Sequence, residues 1–257
     1  MAKDKAVVLC SGGLNSAVVT ALASVDHVPV LLHVRLGHRA SDREYKMFEA
    51  LADHFDVADR LVVDMPQFGG IGGIGGIARF NRKGLIEDAM AIGDGPSNCY
   101  IPGLVGSLLS AAYAWAWSIG AGRVCIGVSE DLGPPAPRTS HLYPDYSREY
   151  LQLCGYQYAV ASRGRTVELE MPVVDLCRAD IIRLGRRFNI PFGLSWSCVV
   201  GGEEPCGRCV GCATRDRGFL DAMVPDPLMM QRGNSVGARR TPVVEKRAAP
   251  SATPPHR

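Results

Sequence analysis

The sequence predicts an α/β fold: a parallel sheet covered by helices on both faces. Three observations carry this. Short apolar runs occur at 6–10, 28–34, 60–64, 123–128 and 166–171. Stretches with apolar residues at helical spacing lie between them, and strands alternating with helices favour parallel pairing, because each crossover helix must cover a sheet face. The first run, Ala6-Val7-Val8-Leu9-Cys10, turns into a helix-forming stretch through a glycine pair.

That turn reads Ser11-Gly12-Gly13-Leu14-Asn15-Ser16. Two glycines let the backbone take positive φ and approach a ligand closely. The helix start then offers unpaired N–H groups to an anion. Ser11, Gly12, Gly13, Leu14 and Ser16 therefore form a candidate phosphate or pyrophosphate cradle. It is not a Walker loop, since no Gly-Lys-Ser/Thr follows. Ser-Gly-Gly also occurs in ordinary turns. Its place after the first strand favours the ligand reading, because open α/β sheets bind ligands at the carboxyl ends of their strands.

Ser41 or Asp42 caps the next helix, whose Tyr45, Phe48, Leu51, Ala52 and Phe55 fall at helical spacing. A second helix spans 103–119, with little charge, as expected of a helix packed on a sheet. A third spans 178–188, with Ile181, Ile182 and Leu184 facing inward. Residues 66–97 break the pattern. They contain a Gly-Gly-Ile repeat that reads either as a loop closing over a ligand or as a disordered insertion. Pro134-Pro135-Ala136-Pro137 marks another long loop.

The 257 residues, 47% apolar, suffice for a sizeable core. The most apolar stretch, 103–121, carries Ser107, Ser110, Tyr113, Trp115, Trp117 and Ser118, and reads as a buried helix rather than a membrane span. The N-terminus shows no signal-peptide pattern, so a cytoplasmic protein is expected. From Arg232 on, six basic residues face one acidic, a net of +5; the total is +2, which leaves −3 for the body. The body is thus no nucleic-acid surface by composition. The Pro-rich basic end reads as a disordered tail.

Cys198, Cys206, Cys209 and Cys212 are spaced C-x7-C-x2-C-x2-C. Two overlapping C-x-x-C steps aim three thiolates at one centre, and Cys198 closes a tetrahedral S4 site. Structural zinc is the favoured reading, with an iron–sulfur cluster as the rival and a disulfide or redox pair disfavoured. The organisation that follows is a main domain at 1–195, a zinc-binding segment at 196–222 and a tail at 223–257.

The Ser-Gly-Gly-x-x-Ser loop, together with the cysteine cluster and its continuation Ala213-Thr214-Arg215-Asp216-Arg217-Gly218-Phe219, resembles the 7-cyano-7-deazaguanine synthase (QueC) family of queuosine biosynthesis, within the N-type ATP pyrophosphatase group. Pro102-Gly103, Gly127-Val128, Glu130-Asp131, Tyr143-Pro144-Asp145 and Glu149-Tyr150 extend the resemblance over roughly 5–222. It implies a Rossmann-like, adenine nucleotide alpha hydrolase-like sheet and, on family grounds, a homodimer. It also implies ATP and Mg²⁺, with adenylation of 7-carboxy-7-deazaguanine, release of pyrophosphate, and attack by ammonia to give an amide and then a nitrile. By matching position, Ser11, Gly12, Gly13, Leu14 and Ser16 would hold pyrophosphate, with His33 and His38 near the nucleotide. Asn15 and Arg178 would be catalytic, and Asp131, Tyr143, Asp145 and Arg148 would bind substrate.

The chain departs from the family pattern in several places. Asn15 stands where the family has Asp, Arg178 where it usually has Lys, and Leu104-Val105 where it has Arg-Asn. Leu36-Gly37-His38 replaces Gln-Arg-His, and Ser147 replaces an Arg. Three functions are compatible with this: an ATP-dependent ligase of the family type, a relative that conjugates a deazaguanine to a protein amine, as in antiviral defence, or a non-catalytic nucleobase-binding scaffold.

Overall fold

The computed structural model describes residues 3–70, 100–131, 143–162 and 165–230. The Gly-Gly-Ile repeat from Ile71 on, the Pro134–Pro137 loop and the tail from 231 on lie outside the described residues. Five parallel strands form one sheet: β1 (Lys5–Leu9), β2 (Val28–Arg35), β3 (Arg60–Asp64), β4 (Arg123–Cys125) and β5 (Glu168–Glu170). Their order is β3-β2-β1-β4-β5, with Val7 level with Val30 on one side and Val124 on the other. The main helices are α1 (Leu14–Asp26), α2 (Ser41–His54), α3 (Leu104–Ile119), α4 (Arg148–Ala161), α5 (Arg178–Arg187) and α6 (Val210–Ala222).

Successive strand side chains alternate between two cores. Ala6, Val8, Leu31 and Cys125 face a core shared with α1, α2, α5 and α6, through Val18, Phe48, Ile182 and Phe219. Val7, Leu32 and Val124 face a second core with α3 and α4, through Leu109, Tyr113 and Leu151. Strands buried on both faces must be apolar at every position, which is why they read as unbroken runs rather than alternating ones. Each fully buried Leu or Val contributes on the order of 1.5–3 kcal/mol. The sheet is therefore Rossmann-like, and its order reverses at β1. Crossovers leave β1 and β4 toward opposite faces, so a crevice opens at their carboxyl ends.

Glu149-Tyr150, which extends the family resemblance, lies in the first turn of the fourteen-residue helix α4. Ser147 is its N-cap, accepting from the Tyr150 N–H at 3.2 Å. Serine at this position serves the helix by satisfying an orphan first-turn donor. The strand runs at 123–128 and 166–171 pair over only three residues each. Ile126 N–H still donates to Glu170 O, but Gly127 and Val128 leave the ladder to line a cavity.

The chain on either side of 195 and of 223 packs together. Trp196 N–H donates to the Gly12 carbonyl at 2.9 Å, and Phe219 and Ala222 lie in the main core. Arg215, 2% exposed, pairs with Asp226 through two bonds of 2.6 and 2.9 Å, and also donates to Phe192 O and Ser195 O. Leu228 packs against the cysteines. Residues just past 223 are thus held by a buried ion pair whose donors are well satisfied.

The structural weight of that pair is open to direct measurement. Asp226→Ala leaves the Arg215 charge buried and unpaired, and is expected to cost about 3–5 kcal/mol in urea unfolding. A loss under about 1 kcal/mol would show the pair to be peripheral.

Candidate nucleotide site and cysteine centre

A cavity of about 390 Å³ lies at the carboxyl ends of β1 and β4, where the strand order reverses. The Ser11-Gly12-Gly13 turn forms one wall. Gly12 has φ +78°, and a Cβ there would lie 2.3 Å from the Glu44 carbonyl oxygen, so glycine is required on both counts. Helix α1 begins at Leu14 with no side-chain cap. Its first-turn N–H groups have no intrahelical acceptors, and the positive end of its dipole faces the cavity. Ser11 Oγ accepts from Gly13 N–H at 3.2 Å, shaping the turn. Ser16 is buried and donates to Gly13 O at 3.0 Å, and the Leu14 side chain enters the core. Leu14 therefore offers the cavity mainly its backbone.

Asn15 and Arg178, widely separated in sequence, meet here. Asn15 Nδ2 donates to the Gly127 carbonyl at 2.9 Å, and Asn15 Oδ1 accepts from Arg178 Nη1. All three residues line the cavity. The stem of Arg178 crosses α6 at Gly218, where a Cβ would lie 2.2 Å from Arg178 Cγ. Desolvation, reinforced by the charge of nearby Arg215, pulls the Arg178 guanidinium down to about 10, still ionised at neutral pH.

The other candidates are placed less directly. His33 lies beneath the cavity, 1% exposed, stacked on Phe48 at 4.9 Å. Its Nδ1 donates to the Cys10 carbonyl at 2.9 Å, and burial holds it below the usual imidazole range. It braces the start of the loop. His38 does reach the cavity wall, with Nε2 3.2 Å from Glu44 Oε2. Burial opposes its charge, but the Glu44 hydrogen bond and charge prevail and raise it.

Asp145 is buried and accepts from the Val105 N–H in the first turn of α3 at 3.2 Å, so it caps that helix from a distant loop. Burial raises its carboxyl above the ordinary value, against the pull of that bond. Tyr143 stacks on Tyr146 at 5.0 Å, and Tyr146 is the residue of this loop that lines the cavity. Arg148 directs its guanidinium to Asp175 and its backbone N–H to Glu130. Asp131 is exposed at the edge of the described chain, its carbonyl accepting from Ser129 Oγ.

The four cysteines converge as their spacing predicts. Their sulfurs all lie within 4.8 Å of one another, with the 206–212 and 198–209 pairs at 3.9 Å. Backbone N–H groups of Cys206, Cys209 and Cys212 each donate to a preceding sulfur at 3.4 Å. Such donors stabilise thiolates, and Cys209 also sits at the N-cap of α6. The set can hold a metal ion. It also builds the nucleotide cavity, because Gly211 and Thr214, flanking Cys212, line its wall. A Cβ at Gly211 would lie 1.8 Å from Ser197 O. Gly127, Tyr146, Trp196 and Thr214 are wall residues that sequence reasoning gave no role. Position Gly127 alone had a cue, as a glycine at a strand end.

Residues 5–223 match the model of the family described as "Queuosine biosynthesis protein QueC". The chain belongs to the QueC family. It is 32% identical over 228 residues to the 7-cyano-7-deazaguanine synthase of Acidobacterium capsulatum, covering 88% of this chain and 96% of that one. It is 33% identical over 230 residues to the 7-cyano-7-deazaguanine synthase of Methanothrix thermoacetophila, covering 88% and 99%. A structure of NMN synthetase from Francisella tularensis superposes with a TM-score of 0.46 at 14% identity, covering 91% of this chain and 83% of that one. This QueC-family chain is an ATP-dependent enzyme, and among its described residues no helix is long and apolar enough to cross a membrane.

The cysteine centre and the cavity share α6, so they are expected to fail together. Cys209→Ser should lose bound metal on elemental analysis and weaken ATP binding by about tenfold or more in calorimetry. Full ATP affinity in metal-free protein would show the two sites to be independent.

Proposed function

We propose that this enzyme adenylates the carboxylate of 7-carboxy-7-deazaguanine with ATP, releases pyrophosphate, and passes the acyl group to ammonia with loss of AMP. A second adenylation of the amide then yields the nitrile. The observation that carries this is the convergence of the uncapped α1 start and the Arg178 guanidinium on one cavity at the strand switch point. The relatives named 7-cyano-7-deazaguanine synthase support the substrate class.

The chemistry asks three things of the chain. A carboxylate is a poor electrophile, so its oxygen must attack the α-phosphorus while charge leaves on pyrophosphate. Backbone N–H groups of Leu14 and Asn15 receive that charge at the start of α1, and Arg178 neutralises it. The apolar wall of Leu32, Val34, Leu104 and Val128 takes the flat deazapurine and excludes water from the acyl-adenylate. Tyr143 and Asp145 act through the loop that carries Tyr146, and Asp131 and Arg148 serve at its outer edge.

We assign zinc to the cysteine centre. Two sulfur pairs at 3.9 Å, in a set that all lies within 4.8 Å, come near the edge of about 3.8 Å of a tetrahedron built on Zn–S bonds of about 2.3 Å. A four-iron cubane interposes its irons between centre and thiolates and needs a wider cage. With four protein ligands the site is closed and its role is to hold α6. Mg²⁺ enters as the counter-ion of ATP.

Pyrophosphate is expected to form once 7-carboxy-7-deazaguanine and ATP are present, while sustained turnover with release of AMP needs ammonia as well, with mass spectrometry showing the amide or nitrile. Absence of pyrophosphate release across ammonia and metal conditions would eliminate this function.

A further inference from the structure

Asn15 uses both ends of its amide. Nδ2 donates to the Gly127 carbonyl and Oδ1 accepts from Arg178. A carbonyl can only accept and a guanidinium can only donate, so the two partners together fix the amide's orientation. A Cβ at Gly127 would lie 3.0 Å from the Asn15 carbonyl carbon and the Ser16 nitrogen. The end of β4 is thus pressed against the first turn of α1, and Asn15 cannot swing aside without opening that junction.

Arg178 makes no ion pair among the described residues, and its Nε is buried without a hydrogen-bond partner. The neighbouring charge that acts on it most is another cation, Arg215, already bound to Asp226. Among the described residues lining the cavity, Glu44 is the sole carboxylate, and it faces His38. This donor set does not suit a divalent cation at the loop. Mg²⁺ takes carboxylate and water oxygens, whereas the Asn15 oxygen already accepts from a guanidinium.

We infer that Asn15 is a positioning residue that holds Arg178 as the resident cation of the cavity, so that phosphate charge at this end is met by arginine in place of a metal ion. The inference rests on the nucleotide reading of the cavity and deepens it. A carboxylate at position 15 would face the Gly127 carbonyl with no proton to donate and would neutralise Arg178. The first effect loosens the clamp and the second weakens the attraction for an anion.

The test is calorimetry of the full chain, with its cysteine metal in place, using inorganic pyrophosphate as the probe. Buffer is freed of divalent cations by resin, then supplemented with Mg²⁺. Wild-type affinity without Mg²⁺ is expected within about threefold of that with it. Asn15→Asp is expected to bind about tenfold or more weakly without Mg²⁺ and to recover when it is added, in protein whose circular dichroism spectrum shows the fold retained. A merely structural role for Asn15 would not create that metal dependence. Wild-type binding that requires Mg²⁺ overturns the inference while leaving the phosphate site standing, and this comparison needs no variant to fold. Asn15→Asp binding as tightly as wild type without metal also overturns it. No binding under either condition removes the phosphate site and the inference together.

Discussion

Three chain segments that are remote in sequence are locked by one amide. The start of α1, the end of β4 and the start of α5 meet at Asn15, through the Gly127 carbonyl and the Arg178 guanidinium. The parallel order places β1 beside β4, so the loop after one and the glycine after the other come together. What the sheet does not specify is the direction of the charged group between them. That is supplied by hydrogen-bond polarity. At half-buried groups this is a constraint, because a misdirected amide would set donor against donor and acceptor against acceptor.

The cysteine centre acts on the same point from the other side. The four cysteines place α6, and α6 contributes Gly211 and Thr214 to the cavity and Gly218 to the channel for the Arg178 stem. Arg215, on the same helix, secures the chain on both sides of it through Ser195 and Asp226. The cysteine cluster is therefore remote from the strand ends in sequence and yet helps decide where a cavity cation stands. This explains why a cysteine-rich segment and a phosphate-type loop at opposite ends of a chain belong to one functional unit.

Much of this was legible in the sequence, for identifiable reasons. Doubly buried strands must be apolar throughout, so the central strands β1 and β2 announced themselves most clearly, while the edge strand β5 is only Glu168-Leu169-Glu170. The C-x-x-C-x-x-C spacing prescribes its own convergence. Helix α4 was missed because Leu153, Tyr156 and Val160 are exposed, which blurs the apolar stripe that marks a helix. Asp226 was hidden between Pro225 and Pro227, in what reads as the onset of a tail. His33 sits where sequence placed it, at the loop end of β2, but the pleat turns its side chain under the cavity. The Asn15 clamp was the least legible feature: one partner is a backbone carbonyl 112 residues away, and a carbonyl leaves no trace in residue type.

The most direct measurement is a crystal structure of the protein soaked with pyrophosphate and Mn²⁺, whose anomalous scattering locates the metal. Pyrophosphate oxygens should lie within hydrogen-bond distance of Arg178 and of the first-turn N–H groups of α1, with Asn15 still bridging Gly127 and Arg178 and no manganese on Asn15. Manganese bound to Asn15 with Arg178 turned out of the cavity, or pyrophosphate settled elsewhere, would contradict it.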